Sequence, residues 1–207
     1  MPATAPQFTA HHSPRVQQKR ERRRRDILHA ALQAFRVRGY HGTTLEDIAA
    51  RLGVRKSALY HYFPDKEAIL YTCHRDALDQ VEGILTDSLA GTTPAAERLR
   101  LVIQEHVRVM TETMAGSPLA FETTALSAAH AAEVIARRDR YEGGVRALIR
   151  QSIAEGAFRP VDPKTAAFAI FGAINWIARW YRPDGSLTAA ELGRQFADHL
   201  TGGLTCR

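Results

Sequence analysis

The stretch "TTLEDIAARLGVRKSALYHYF", residues 43–63, constrains the fold more than any other. Thr43, with Glu46 three residues on, reads as a capping box, in which each side chain satisfies a backbone N–H at a helix start. Leu45, Ile48, Ala49 and Leu52 then form the apolar stripe of a short helix that Gly53 ends. A second helix begins at once, near Arg55. Two short helices joined by a tight glycine turn are a helix-turn-helix. A longer helix precedes them, with Ile27, Ala30, Ala31, Ala34 and Phe35 at helical spacing and Gly39 as its stop.

In the second short helix, residues four apart share a face. Leu59 and Phe63 form one such pair, with Ala58 beside them, and turn toward the preceding helices. Lys56, Ser57, Tyr60 and His61 fall on the other side, and Tyr62 lies between the two. A cation, a hydroxyl, a phenol and an imidazole suit phosphate oxygens and base edges in a major groove. Lys66, just past the turn at Pro64 and Asp65, is placed for a backbone phosphate. The plainer alternative makes Tyr60 and Tyr62 packing tyrosines and His61 a solvated surface residue. The helix-turn-helix and the basic stretch upstream favour DNA contact.

Charge divides the chain the same way. Through Lys66 there are 13 Lys/Arg against 5 Asp/Glu, or +8; beyond it 15 against 17, or −2. A basic head on a near-neutral body is the asymmetry of a polyanion binder. Arg22, Arg23, Arg24 and Arg25 stand together where a helix is expected to start, against its positive dipole end. Phosphates would supply the missing counter-charge, and an arm preceding the helix could enter a minor groove.

Residues 22–70, "RRRRDILHAALQAFRVRGYHGTTLEDIAARLGVRKSALYHYFPDKEAIL", resemble the DNA-binding domain of TetR-family transcriptional regulators. The resemblance implies phosphate contacts from Thr44 and its neighbour Thr43. It implies groove reading by the third helix, Arg55 to Tyr62, and a backbone grip by Lys66. "LYHYF" stands here where "LYYHF" is commoner, so either His61 or Tyr62 inherits the family's phosphate contact.

The rest of the chain reads as long helices at about 65–89, 94–114, 131–155, 163–181 and 188–201, with a shorter one near 118–128. "TTPAAERL", "GSPLAF" and "VDPKTAAF" each set Ser, Thr or Asp before Pro, an N-cap followed by Pro at the first helical position. Thr188 and Glu191 form a further capping box. No sustained alternation of period two occurs, so the expected fold is all-α. It comprises a tail over residues 1–14, a three-helix helix-turn-helix DNA-binding domain over 15–66, and a helical ligand-binding and dimerisation domain over 67–207.

"TAAFAIFGAINWIARWY" is apolar nearly all round and expects burial on more than one face. Ala166, Ala169, Gly172 and Ala173 admit a close neighbour, and the last helix presents Leu192, Phe196 and Leu200. Two such helices facing their symmetry mates would make a homodimer. Such a dimer suits a palindromic double-stranded operator, each head covering one half-site.

The expected partner of the body is a small-molecule inducer. Met110 and Met114 end an apolar stripe, Phe121 sits on the short helix, Asn175 interrupts the apolar run, and Trp176 beside it is a further candidate contact. A stripe at helical spacing is more often core than pocket. Residues 175–196, "NWIARWYRPDGSLTAAELGRQF", are similar to the C-terminal end of TetR regulators of fatty-acid and sterol breakdown, which implies an acyl-CoA inducer. Arg179, Arg182, Arg137, Arg138 and Arg140 are then candidates for the CoA phosphates. A hydrophobic drug, with the chain repressing an efflux gene, is the alternative. "EGG", Glu142–Gly144, inside a helical pattern expects a kink or a close helix crossing.

Nine histidines are present, none at metal spacing, and His74, His106, His130 and His199 read as isolated structural or exposed residues. No nucleophile motif or phosphate loop appears, so neither catalysis, a metal nor a cofactor is expected. Cys73 and Cys206 lack disulfide or zinc spacing and are expected to be free thiols. No apolar leader is evident, and the run from Thr165 to Ala178 falls short of the roughly 20 residues of a bilayer span. The expected location is the cytoplasm.

Overall fold

The computed structural model describes residues 14–114, 122–182 and 184–205. Among these residues the protein is all-α: α1 (Pro14–Arg38), α2 (Leu45–Arg51), α3 (Lys56–Leu59), α4 (Lys66–Ala90), α5 (Ala95–Arg108), α6 (Ala128–Ala154), α7 (Pro163–Trp180) and α8 (Ala189–Gly202). One isolated bridge joins Phe158 to Thr205. Phe121, Cys206 and the "GSPLAF" cap lie outside the described residues. No described helix is long and apolar enough to cross a membrane.

The first three helices pack as their apolar stripes require. Ile27, Ala31, Phe35, Ile48, Leu59 and Phe63 are buried together. Gly39, at φ +70°, turns the chain out of α1, and Gly53, at φ +63°, turns it between α2 and α3. The left-handed region is open to glycine without a Cβ clash. The capping box of α2 sits one residue later than the sequence suggests. Thr44 caps Asp47, and Asp47 reaches back to the Thr44 N–H. Thr43 is instead fully buried, its hydroxyl donating to the Gly39 carbonyl at 2.8 Å. The choice follows from packing, because Thr43 faces inward where the turn folds back on α1.

Two more expectations shift at helix ends. α1 already begins at Pro14, so the four arginines lie inside it rather than on a preceding arm. α5 begins at Ala95, and Thr93 does not cap it. The Ala95 N–H is met instead by the Glu155 carboxylate at the end of α6, at 2.8 Å. Asp162, Thr188 and Ser127 cap α7, α8 and α6. Residues 122–127 form turns rather than the end of a short helix, and α6 starts at Ala128.

α4 runs 25 residues from the helix-turn-helix into the body. At its far end the buried Arg98 of α5 donates to the Ser88 carbonyl (2.7 Å) and to the Thr93 carbonyl (2.7 Å), tying the last turn of α4 to the first of α5. α5 continues as a single π-helical turn, Val109–Thr113, where the Met114 N–H reaches back five residues to Val109 at 2.8 Å. Gly144 of α6 meets α4 so closely that a Cβ there would lie 2.5 Å from Leu85 Cδ2, while Gly143 faces open space. The "EGG" motif is therefore a helix crossing made by its second glycine. Gly193 does the same for α8, where a Cβ would meet the Gln104 carbonyl at 3.2 Å.

α7 is not buried all round. Ala166, Ala167, Ile170, Ile174 and Ile177 face the core, while Phe168, Trp176 and Trp180 are exposed. Trp180 stacks on Phe196 of α8 with centroids 6.3 Å apart.

Candidate nucleic-acid interface and ligand cavity

The outward side of the helix-turn-helix carries Thr44, Arg55, Ser57, Tyr60 and His61, all exposed, with Lys56 half-buried beside them. α3 is only one turn, Lys56–Leu59, and continues through Tyr60–Tyr62 as further turns rather than as a regular helix. Tyr62 is half-buried against the core. Lys56 Nζ pairs with Glu46 at 2.8 Å and lies 5.7 Å from the Tyr60 ring centroid. The Glu46 hydrogen bond raises the ammonium's pKa above its ordinary value and holds the Glu46 carboxyl below its own. Asp47 accepts from Arg38 as well as from Thr44, at 2.6 Å. The sequence reading missed Arg38, whose signal is its place in the last turn of α1.

Three predicted contacts are placed differently from expectation. The buried Thr43 side chain cannot reach a phosphate. Lys66 points inward, donating to the carbonyls of Tyr40 (2.8 Å) and Thr43 (2.7 Å) and covering the Tyr40 ring at 4.2 Å. Burial lowers its pKa. Arg24 packs over the Phe63 ring at 5.1 Å and donates to Thr72. Arg23 lies 4.0 Å from Asp26. Arg22 and Arg25 remain exposed.

A cavity of about 320 Å³ lies in the body between α4, α5 with its π turn, α6 and α7. Leu78, Val81, Val109, Met110, Met114, Phe168 and Phe171 give it apolar walls, and His74, His106, Arg138, Tyr141, Glu142 and Asn175 its polar groups. Met110, Met114 and Asn175 line it as the sequence suggests. Trp176 does not: it is 61% exposed and borders a separate shallow depression with Gly172, Asn175 and Arg179.

The polar groups gather on one side. Arg138 Nη2 lies 3.3 Å from His74 Nδ1, and the Tyr141 hydroxyl 3.3 Å from His106 Nδ1. Burial, then the nearby Arg138, pulls both imidazoles down to about 4, so they are neutral. Burial raises the Tyr141 phenol and lowers the Arg138 guanidinium. His74 Nε2 is buried and makes no well-formed hydrogen bond among the described residues, although the Glu122 backbone favours the charged ring. Sequence reading left both histidines as isolated and never reached Tyr141. Their trace is a titratable residue inside an apolar stripe: His74, Ala77, Leu78 and Val81 on α4, and Arg138, Tyr141, Glu142 and Val145 on α6.

Of the arginines offered to CoA phosphates, Arg137 is consumed by Asp79 at 2.6 Å and Glu82 at 2.5 Å. Arg140, Arg179 and Arg182 are exposed. No group of three or more His, Cys, Asp or Glu among the described residues could hold a metal.

Residues 27–71 match the family described as "Bacterial regulatory proteins, tetR family", and residues 92–204 the "Tetracyclin repressor-like, C-terminal domain". The transcriptional repressor KstR2 of Mycolicibacterium smegmatis is 27% identical over 186 residues, covering 88% of this chain and 91% of its own. Among solved structures, the regulator PfmR of Thermus thermophilus superposes with a TM-score of 0.75 at 35% identity, over 87% of this chain and 99% of its own. AibR, in complex with isovaleryl coenzyme A and operator DNA, does so with 0.73 at 30%, over 88% and 98%. With a glycine-turned helix-turn-helix at one end of α4 and a cavity along the other, this chain belongs to the TetR family of DNA-binding transcriptional regulators.

Proposed function

We propose that the chain is a homodimeric repressor of a palindromic operator, released by a small molecule in the α4–α7 cavity, and that the molecule is an acyl-CoA. Residues 15–66 act as the DNA-binding head and 67–207 as the ligand-binding and dimerisation body. The observation that carries this reading is the reach of α4. His74, Ala77, Leu78 and Val81 form the cavity wall, while Lys66 at the start of the same helix holds the turn carrying Thr43. A ligand lowers operator affinity only by favouring the conformation that binds DNA less well, and α4 conveys that preference to the head.

Dimerisation is supported by the outer faces of α7 and α8. Phe168, Trp176 and Trp180 are too large and too close together to be left in water without consequence. Covered by the same helices of a second copy, they form an isologous four-helix contact. The acyl-CoA reading is supported by the apolar walls and by the shallow depression lined by Gly172, Trp176 and Arg179, which shares Asn175 with the cavity. The cavity of about 320 Å³ suits an acyl chain, with the bulk of CoA left outside it.

The test is operator release, measured by fluorescence anisotropy on the chain's own upstream DNA with acyl-CoAs of increasing length, free CoA and cationic drugs. Release by medium acyl-CoAs and by neither of the others is expected. Release by cations alone would replace this reading with that of an efflux repressor.

A further inference from the structure

On the polar side of the cavity Arg138 and His74 have donors to spare, while the buried Glu142 Oε1 is paired with Arg146 at 3.1 Å and makes no hydrogen bond of its own. Arg138 cannot accept a hydrogen bond, so its contact with His74 Nδ1 makes that nitrogen the acceptor. The proton of the neutral ring is then on Nε2, a buried N–H with no well-formed hydrogen bond among the described residues. Arg138 offers five N–H groups and this contact uses one. Its guanidinium has no carboxylate within salt-bridge reach among the described residues. Asp139 is exposed, Glu142 Oε1 sits 3.1 Å from Arg146, and Glu105 is held by Arg108. A buried donor without an acceptor, or a cation without a counter-charge, is costly and is normally satisfied.

We propose that this side of the cavity is an anion site, in which Arg138 and the Nε2–H of His74 take the carboxylate of a ligand whose compact apolar body lies against Leu78, Val81, Met110 and Phe171. The proposal rests on the reading of the cavity as the inducer site and specifies the chemistry of the inducer. One guanidinium matches one carboxylate in a planar, two-point contact; a doubly charged phosphate would keep an uncompensated charge. A volume of about 320 Å³ has room for a carboxylate on a short carbon chain. The carboxylate has two possible sources: a free acid of that size, or the distal carboxyl of a dicarboxylic acyl thioester whose CoA stays outside, past Asn175.

Calorimetry on the full chain with four probes decides between them: hexanoate against 1-hexanol, and the mono-CoA thioester of hexanedioic acid against hexanoyl-CoA. In at least one pair the carboxylate is expected to bind ten-fold tighter or more than its uncharged counterpart. Arg138→Met should erase that advantage and Arg138→Lys restore part of it. A preference for hexanoate assigns the free acid, and if both thioesters are then inert, the CoA reading falls while the anion site stands. A preference for the hexanedioyl thioester assigns the distal carboxyl and supports both. Hexanoyl-CoA binding best, with no change in Arg138→Met, overturns the anion site and leaves the CoA reading intact. Inertness of all four overturns the site. Should Arg138→Met fail to fold, the probe pairs on the unaltered protein and on His74→Phe, expected to lose several-fold of the preference, decide the matter.

Discussion

The ammonium of Lys66, first residue of α4, lies 2.7 Å from the carbonyl oxygen of Thr43, the residue before the cap of α2. With the Tyr40 carbonyl at 2.8 Å, it fastens the long helix to the helix-turn-helix from inside. Hydrogen bonds from a charged group contribute about 1.5–3 kcal/mol each. Lys66→Met should therefore lower the stability to urea by about 2 kcal/mol or more and weaken operator binding even without inducer. An unchanged urea midpoint would contradict a structural role for this lysine.

The arginine run divides into two roles. Arg22 and Arg25 face water on α1, whereas Arg24 lies on Phe63. Arg22→Ala combined with Arg25→Ala is expected to leave the melting temperature unchanged and to flatten the dependence of log Kd on log salt by about one to two, since each lost phosphate contact removes about 0.9 from the slope. Arg24→Ala should show the reverse: a lower melting temperature and a nearly unchanged slope.

Tyr60 stands clear of the core at 48% exposure, so Tyr60→Ala should leave the fold intact. It is expected to cost operator affinity about ten-fold or more while binding to random DNA changes little. A mobility-shift series against both DNAs measures the ratio.

The two glycines of α6 give a matched pair. Gly144→Ala drives a methyl into Leu85 and should destabilise by about 1–3 kcal/mol. Gly143→Ala meets nothing and should stabilise by up to about 1 kcal/mol through helix propensity. Leu85→Ala in the Gly144→Ala background should recover part of the loss. Denaturation midpoints of the four proteins test the crossing directly.

Acid should act through the buried imidazoles. His74 and His106 titrate near 4 when folded, against about 6.5 unfolded. Above pH 6.5 both states are neutral and pH has no effect through them. As pH falls from 6.5 toward 4 the unfolded chain binds protons the folded one refuses, so stability declines. The full effect is on the order of 3 kcal/mol per histidine. In His106→Phe the decline between pH 6.5 and 4.5 should be visibly shallower than in the unaltered protein. Parallel curves would refute the assignment.

What was legible in the sequence follows from how local each signal is. The stripe of α1, the glycine turns and the caps at Asp162 and Thr188 depend on neighbours a few residues away, and the structure keeps them. The cap of α2 slipped from Thr43 to Thr44 because two adjacent threonines offer the same chemistry, and burial against α1 decides between them. The inward turn of Lys66 is invisible to local pattern, because the carbonyls it serves lie 23 and 26 residues upstream. The anion site joins α4, α5 and α6 across more than 60 residues, and no spacing rule links His74 to Arg138. Trp176 was placed inside by hydrophobicity alone, which cannot tell a cavity wall from a face awaiting another chain.

The tie between Arg98 and Ser88 sets a mechanical advantage. With its last turn clamped, α4 behaves as a lever arm of 25 residues, about 37 Å at 1.5 Å per residue. A swing of 5° about that fixed end displaces Lys66 by roughly 3 Å. In a two-fold pair the arms move in opposite senses, so the gap between heads changes by roughly twice that against a half-site spacing of about 34 Å. An ångström of side-chain adjustment around the cavity is thus geared up where the heads meet the groove, and a stiff clamp, not a soft hinge, makes the gearing work.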